Sequence, residues 1–316
     1  MKKIIFLSIA VATLFSCAKD QVLTQDKEVI GFADAFVENA TKAIDGSFSN
    51  ANMPASFKVY GTTTGDETGA ATVAIFNGVS VEKSGNVWNY ADQYTQYWID
   101  GNTYAFAAVV NGTIADDKTI SYTADGQTDL LYAANSYGEY TKGTSATTVP
   151  FIFSHLLSKV QFTVKNTMTT NTAANLYTYR VTGFQIANAC VSGVYDVTKY
   201  GSTADAWTES STTAPVYFGN ADVADALSVG KVGGADEGTS QYARLLVPAA
   251  YNALNVKCTI ETLLNGNVVD VENYDAKVEC TLAEGKAYNF VISKGNPGEK
   301  IEFTVNPMTD WANGTI

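Results

Sequence analysis

His155 is the only histidine of the 316-residue chain, so a Ser/His/Asp or Cys/His catalytic arrangement would have to include it. The sequence contains no Gly-x-Ser-x-Gly, His-Glu-x-x-His or Gly-x-x-x-x-Gly-Lys-Ser/Thr motif to accompany this histidine. The 32 Asp and Glu residues could supply a glycosidase pair, but their spacing selects no two of them. The sequence therefore predicts a protein that is not an enzyme and needs no cofactor or metal, with His155 as a structural residue at a strand entrance.

Cys17 could carry a different chemistry, the acylation of its thiol. It follows Lys2, Lys3 and the apolar run 4–15, which is shorter than the about 20 residues of a membrane span and is typical of a processed export signal. The end of this run, Leu14-Phe-Ser-Cys17, resembles the lipobox of bacterial lipoproteins. We expect residues 1–16 to be a signal peptide and Cys17 to carry acyl chains such as palmitate that hold the chain on the outer membrane. The alternative is a plain secretory signal.

Three further cysteines, Cys190, Cys258 and Cys280, follow Cys17 in the sequence. Cys258 and Cys280 each lie in a short run of alternating polar and apolar residues, and one connection joins the two runs. A cross-strand disulfide between them is one interpretation in an oxidising compartment. Free, buried cysteines that behave as small hydrophobic residues are the other.

Aromatic residues are concentrated between positions 88 and 106. If their rings are exposed, they could stack on sugars or anchor a protein partner. If they face inward, they fill the core. The candidates for ligand stacking are Trp88, Tyr94, Tyr97 and Trp98.

The elements that would position these residues are predicted to be strands. From Val29 onward, short alternating segments are separated by turn residues, and the pair Asn77-Gly78 between two such runs predicts a hairpin. Residues 91–99 could form one or two helical turns, and the stretch 143–148 before Pro150 is typical of a linker. We therefore predict an all-β fold of two antiparallel β-sandwiches, over residues 43–149 and 150–298.

The composition narrows the classes of partner. The formal net charge of −12 makes charge-driven binding to nucleic acid or to an anionic lipid surface unfavourable. Arg180 and Arg244 are the only arginines, so the sequence offers no arginine cluster for phosphate groups. We expect no nucleic-acid partner.

Several runs, in this order, resemble the fimbrillin-like pilins of the type V pilus system of Bacteroidales. Those runs are Phe57-Lys-Val-Tyr-Gly-Thr-Thr-Thr64, Val87-Trp-Asn-Tyr90, residues 97–108, Phe153-Ser-His-Leu-Leu-Ser-Lys-Val-Gln-Phe-Thr-Val164, Leu282-Ala-Glu-Gly-Lys-Ala-Tyr-Asn-Phe-Val-Ile292 and Asp310-Trp-Ala-Asn-Gly314. The resemblance covers essentially the whole chain. It implies two transthyretin-like β-sandwiches, export as a lipoprotein, and a first strand that a protease removes so that a neighbouring subunit can insert its C-terminal strand.

The resemblance also implies roles for particular residues. Residues 28–43 are similar to the removable first strand and its cleavage loop, with cleavage expected between Lys42 and Ala43, at the end of the leader and first strand 17–42. The candidate donor segment is 299–316. Its expected inward residues are Ile301, Phe303, Val305 and Trp311.

The function predicted from this resemblance is a structural or adhesive subunit of a cell-surface fimbria, at the stalk, the tip or the anchor. Its partners would be other pilin subunits, the outer membrane through the lipid, and a host or bacterial surface receptor. The alternative is a surface lipoprotein that binds glycans through its exposed aromatic residues and does not polymerise.

Overall fold

The computed structural model describes residues 27–37, 54–65, 69–85, 87–202, 205–209, 212–219, 227–239 and 243–308. These ranges contain twenty strands and two short 3-10 helices, Asp92–Tyr94 and Val197–Lys199. The strands are β1 Gly31–Val37, β2 Ser56–Thr64, β3 Thr72–Ser84, β4 Val87–Asn89, β5 Thr103–Val110, β6 Thr119–Thr123, β7 Leu131–Tyr137, β8 Thr148–His155, β9 Ser158–Asn166, β10 Tyr177–Cys190, β11 Ser192–Asp196, β12 Trp207–Glu209, β13 Thr213–Tyr217, β14 Leu227–Val229, β15 Asp236–Thr239, β16 Arg244–Leu246, β17 Ala249–Leu264, β18 Asn267–Leu282, β19 Ala287–Lys294 and β20 Glu302–Met308. No helix in these ranges is long and apolar enough to cross a membrane.

The first half of the chain forms a closed barrel in the order β1-β4-β3-β2-β5-β7-β8. Its strands bury alternate residues: β2, for example, buries Phe57, Val59 and Gly61 on one face, as the two-residue period of a strand requires. Gly61 leaves room for neighbouring rings, because an added Cβ would lie 2.9 Å from Phe76 Cδ2. Because Gly61 has no side chain, aromatic rings of the barrel core can pack directly against the backbone of β2.

The second half of the chain places two sheets around a second core. One sheet has the order β13-β10-β17-β18, with β14 also paired to β10. The other has the order β15-β9-β19-β20, with β16 also paired to β9. Phe162 and Phe290, on neighbouring strands of this second sheet, are fully buried with ring centroids 5.4 Å apart. A three-stranded sheet, β12-β11-β6, connects the two halves because β6 belongs to the first half of the chain.

The prediction of an all-β fold is confirmed, whereas the prediction of two sandwiches is met only in part. The first half closes into a barrel, because β1 pairs antiparallel with β4 on one side and parallel with β8 on the other. The predicted boundary between residues 149 and 150 falls inside β8, which pairs with β1 and β7 of the barrel. The change from barrel to second core therefore lies at the short connection between β8 and β9.

The hairpin predicted at Asn77-Gly78 is wrong, because both residues lie inside the continuous strand β3. Val59 of β2 faces Val79 while Tyr60 faces Asn77, so Gly78 is an extra residue in a β-bulge with a φ of +70°. The short helix expected within residues 91–99 is present as Asp92–Tyr94.

Candidate functional site

The strand β1 is part of the barrel wall and directs Phe32 into the barrel core. Its Phe32 is buried, and its ring centroid lies 5.5–6.4 Å from those of five other aromatic residues. Those five are Phe57, Phe76, Tyr90, Phe106 and Phe151. Ile30, two residues earlier on the same face, is fully buried as well. The eight-residue segment 30–37 thus supplies a central part of the first hydrophobic core.

Hydrogen bonds hold β1 to both of its neighbours. The backbone N–H of Gly31 donates to the carbonyl of Thr147 at 3.1 Å, next to β8. On the opposite side the Tyr90 hydroxyl donates to the carbonyl of Ile30 at 2.8 Å, and Phe32 lies opposite Trp88 of β4. Without β1, the facing edges of β4 and β8 would lose these partners. The result would be a groove with unpaired backbone groups and an apolar floor, which suits an incoming extended strand.

The candidate donor strand β20 lies at the edge of its own sheet and pairs with β19. Ile301, Phe303 and Val305 are half-buried against the second core, while Glu302 and Thr304 are exposed. The Phe303 ring centroid lies 5.6 Å from that of Phe290, across the ladder. The two-residue alternation predicted for these residues is therefore present, but its apolar face is directed at this chain's own core. Trp311 lies outside the described residues.

The aromatic candidates separate into two groups. Trp88 and Trp98 are each only 6% exposed and belong to the barrel core. The Trp98 indole N–H donates to the carbonyl of Thr147 at 3.0 Å, which positions it as a structural residue. The prediction that these two tryptophans could stack on a ligand is wrong, because their rings have no accessible face. Tyr94 and Tyr97 are 44% and 41% exposed and remain accessible.

The two candidate disulfide partners are not brought together. Cys258 lies opposite Tyr274 in the β17–β18 ladder, and Cys280 lies opposite Tyr251, six residues further along β18 than Tyr274. Six residues of strand span about 20 Å, which is far beyond disulfide reach. Both thiols are free, and burial raises the pKa of Cys258 to about 12. Cys17, Lys42 and Ala43 lie outside the described residues.

Comparison with known proteins identifies the family of this chain. The family model described as fimbrillin-like matches residues 41–311, which is most of the chain. The chain belongs to the fimbrillin-like family. Membership of this family supports the function of a pilin-type structural subunit.

A solved structure shows the same fold at low sequence identity. A fimbrial protein from Bacteroides vulgatus is 15% identical, with a TM-score of 0.57, and the match covers 90% of this chain and 99% of that one. A candidate cell adhesion protein from Bacteroides uniformis is 18% identical, with a TM-score of 0.46 over 90% of this chain and 99% of that one. No curated protein matches the chain.

His155 of this fimbrillin-like chain ends β8, and its Nδ1 contacts the carboxylate of Asp129. Asp129 precedes β7, so this contact ties the loop before β7 to the end of the neighbouring strand β8. Within the described ranges, no three His, Cys, Asp or Glu residues are grouped as ligands for a metal ion.

Sequence reasoning missed Glu284, which lies in the turn between β18 and β19 of the fimbrillin-like fold. Its Oε1 accepts a hydrogen bond from the Tyr195 hydroxyl at 3.1 Å. Burial, together with the nearby charge of Asp205, raises the pKa of the Glu284 carboxyl to about 7. No sequence signal could have found it, because Tyr195, Asp205 and Glu284 are far apart along the chain.

This pKa predicts how the stability of the chain depends on pH. A carboxyl group whose pKa is raised by folding stabilises the fold below its unfolded pKa of 4.5, and that contribution is lost as pH rises through about 7. Glu284→Gln should therefore unfold like the wild type at pH 5 but be more stable at pH 8 by about 1–2 kcal/mol, allowing for partial exposure. Urea denaturation at both pH values measures the difference.

Glu279→Gln is the matched control, because Glu279 lies on the exposed face of β18. It should leave the unfolding free energy unchanged at both pH values. An equal effect of the two substitutions at pH 8 would contradict the burial of the Glu284 carboxyl.

Proposed function

We propose that this chain is a fimbrial subunit exported as a lipoprotein through Cys17 and assembled by donor-strand exchange after proteolysis. The observation that supports the proposal best is the position of β1, which closes the barrel between β4 and β8. Removing one N-terminal strand would open a preformed groove without disturbing the order of the other six barrel strands.

The two strands that would exchange carry similar apolar residues. Ile30 lies just before β1 and Phe32 lies within it, and both are buried. Ile301 likewise lies just before β20 and Phe303 within it, and Val305 is the next inward residue. An incoming segment of this kind would offer a phenylalanine for the site that Phe32 leaves in the ring cluster, and main-chain hydrogen bonds for the edges of β4 and β8.

Cleavage after Lys42 is the proposed trigger. It would release residues 17–42, which contain β1 and the lipidated Cys17, so that the mature subunit is held by its neighbour and no longer by the lipid. N-terminal sequencing of protein shed from the cell surface should begin at Ala43. A start at Cys17 would instead indicate a retained strand, and with it a role as an anchor or at the tip.

Donation by β20 has a cost, because β20 must first leave its ladder with β19 and uncover Phe290. Two deletions separate the contributions of the C-terminal segment. Deleting residues 299–316 removes β20 and everything after it, whereas deleting 309–316 leaves β20 in place. We expect both variants to fold as monomers and the larger deletion to abolish polymerisation in electron micrographs. If polymerisation survives the larger deletion, the donor assignment is wrong.

A second candidate function is glycan binding by a subunit that does not polymerise. The exposed rings of Tyr94 and Tyr97, close to β4, favour it. Labelling of surface fimbriae with antibody against this chain separates the two functions, since only a polymerising subunit decorates the fibre.

A further inference from the structure

A cavity of about 740 Å³ lies where three parts of the fold meet. Ser154 of β8 contributes from the barrel, Asp205 and Trp207 from the connecting sheet, and Thr281 and Glu284 from the end of β18 and the following turn. We call it the Glu284 cavity. Its volume falls within the range of about 300–1,000 Å³ typical of small-molecule sites, and such sites favour junctions between domains.

Aromatic rings form one part of the wall. Tyr200 is half-buried and its ring is accessible, whereas the lining residues Tyr195 and Trp207 are buried, with ring centroids 5.3 Å apart, and offer no open face. The Tyr200 hydroxyl lies 3.0 Å from Ser154 Oγ, and its ring packs edge-on to Tyr132 with centroids 4.7 Å apart. The orientation of Tyr200 is thus fixed by two barrel strands, β7 and β8. A ring held in this way offers an apolar surface at low entropic cost.

Polar groups that are already positioned face the same space. Asp205 Oδ1 accepts from the backbone N–H of Trp207 at 3.2 Å, and Lys199 Nζ donates to the backbone carbonyl of Asp205 at 3.0 Å. The Tyr195 hydroxyl holds the Glu284 carboxyl, whose raised pKa leaves it able to donate or accept near neutral pH. The hydroxyl groups of Ser202 and Thr281 lie at the exposed rim.

The balance of these groups points to the chemistry of the ligand. With Glu284 protonated, the lining carries the carboxylate of Asp205 and the ammonium of Lys199. Asp196 Oδ2 also lies 3.8 Å from Lys199 Nζ, so the cavity does not attract anions. Hydrogen-bond donors and acceptors line the cavity together with the ring of Tyr200, which suits a molecule with many hydroxyl groups and an apolar C–H face. We propose that the Glu284 cavity binds a neutral saccharide. This site is separate from the groove that β1 occupies, so the proposal does not depend on polymerisation.

The test uses the full chain, as a monomer, on a printed array of neutral glycans at pH 6. The strongest glycan is then titrated as the free oligosaccharide by saturation-transfer NMR. Thr281→Trp should block the cavity mouth from an exposed position and abolish binding without affecting the fold. Glu284→Gln keeps the side-chain shape but loses the acid, and should weaken binding at least about fivefold. Melting curves verify that both variants are folded.

Tyr94→Ala is the matched control, because it removes an exposed aromatic ring from the barrel and leaves the cavity intact. It should bind the same oligosaccharide as tightly as the wild type. Three results would each overturn the proposal: an array without any bound glycan, undiminished binding by Thr281→Trp, or binding lost in Tyr94→Ala alone. The last result would assign saccharide binding to the barrel surface.

Discussion

Phe32→Ala is expected to lower the free energy of unfolding of the barrel by about 3–5 kcal/mol, the usual cost of truncating a phenylalanine in a packed core. Phe32 contacts rings from four other barrel strands and from Tyr90, and its loss would leave a void that these rings cannot fill without leaving their own strands. Urea denaturation followed by intrinsic fluorescence measures the change, because Trp88 and Trp98 lie in the same core.

Val29→Ala is the matched control for Phe32→Ala. Val29 is three residues away on the same segment but is exposed, so its truncation should change the unfolding free energy by less than about 0.5 kcal/mol. A loss below about 1 kcal/mol for Phe32→Ala would mean that the ring cluster does not depend on β1. That result would also remove the main support for a groove that needs a strand in this position.

The alternation of polar and apolar residues predicted the strands well but not their partners. Asn77-Gly78 and Asn265-Gly266 are the same dipeptide, yet the first lies in a bulge within β3 and the second joins β17 to β18. In each pair the glycine has a positive φ, which a bulge and a tight turn both accept. Only the pairing with distant strands distinguishes the bulge from the turn, and a short stretch of sequence does not contain this information.

The same limit applies to the candidate site. Tyr97 and Trp98 are neighbours in sequence, but one is exposed and the other is buried, and the pattern alone did not decide which ring faces outward. The role proposed for β1 comes from the family resemblance, whereas its position between β4 and β8 depends on the closure of the barrel. The Glu284 cavity could not be predicted at all, because it is assembled from three distant segments.

Glu272→Ala is expected to lower the free energy of unfolding by about 3 kcal/mol, because it leaves a buried ammonium group without its carboxylate. The side chain of Lys294 is 2% exposed, and its Nζ contacts Glu272 Oε2 and lies 5.7 Å from the centroid of the Tyr179 ring. Glu272 is on β18 and Lys294 on β19, so the pair joins the two sheets of the second core beside the candidate donor strand. Its 39% exposure places Glu272 at the lower end of the usual cost of about 3–5 kcal/mol.

Two further variants show whether the charge is the cause. Adding Lys294→Met to Glu272→Ala removes the uncompensated ammonium and should restore stability to within about 1 kcal/mol of the wild type. Asp275→Ala, on the same strand, breaks the exposed pair with Lys257 and should cost less than about 1 kcal/mol. Equal losses for Glu272→Ala and Asp275→Ala would contradict the burial of Lys294. If the double variant is as unstable as Glu272→Ala, the loss comes from packing along β18 and not from the uncompensated charge of Lys294.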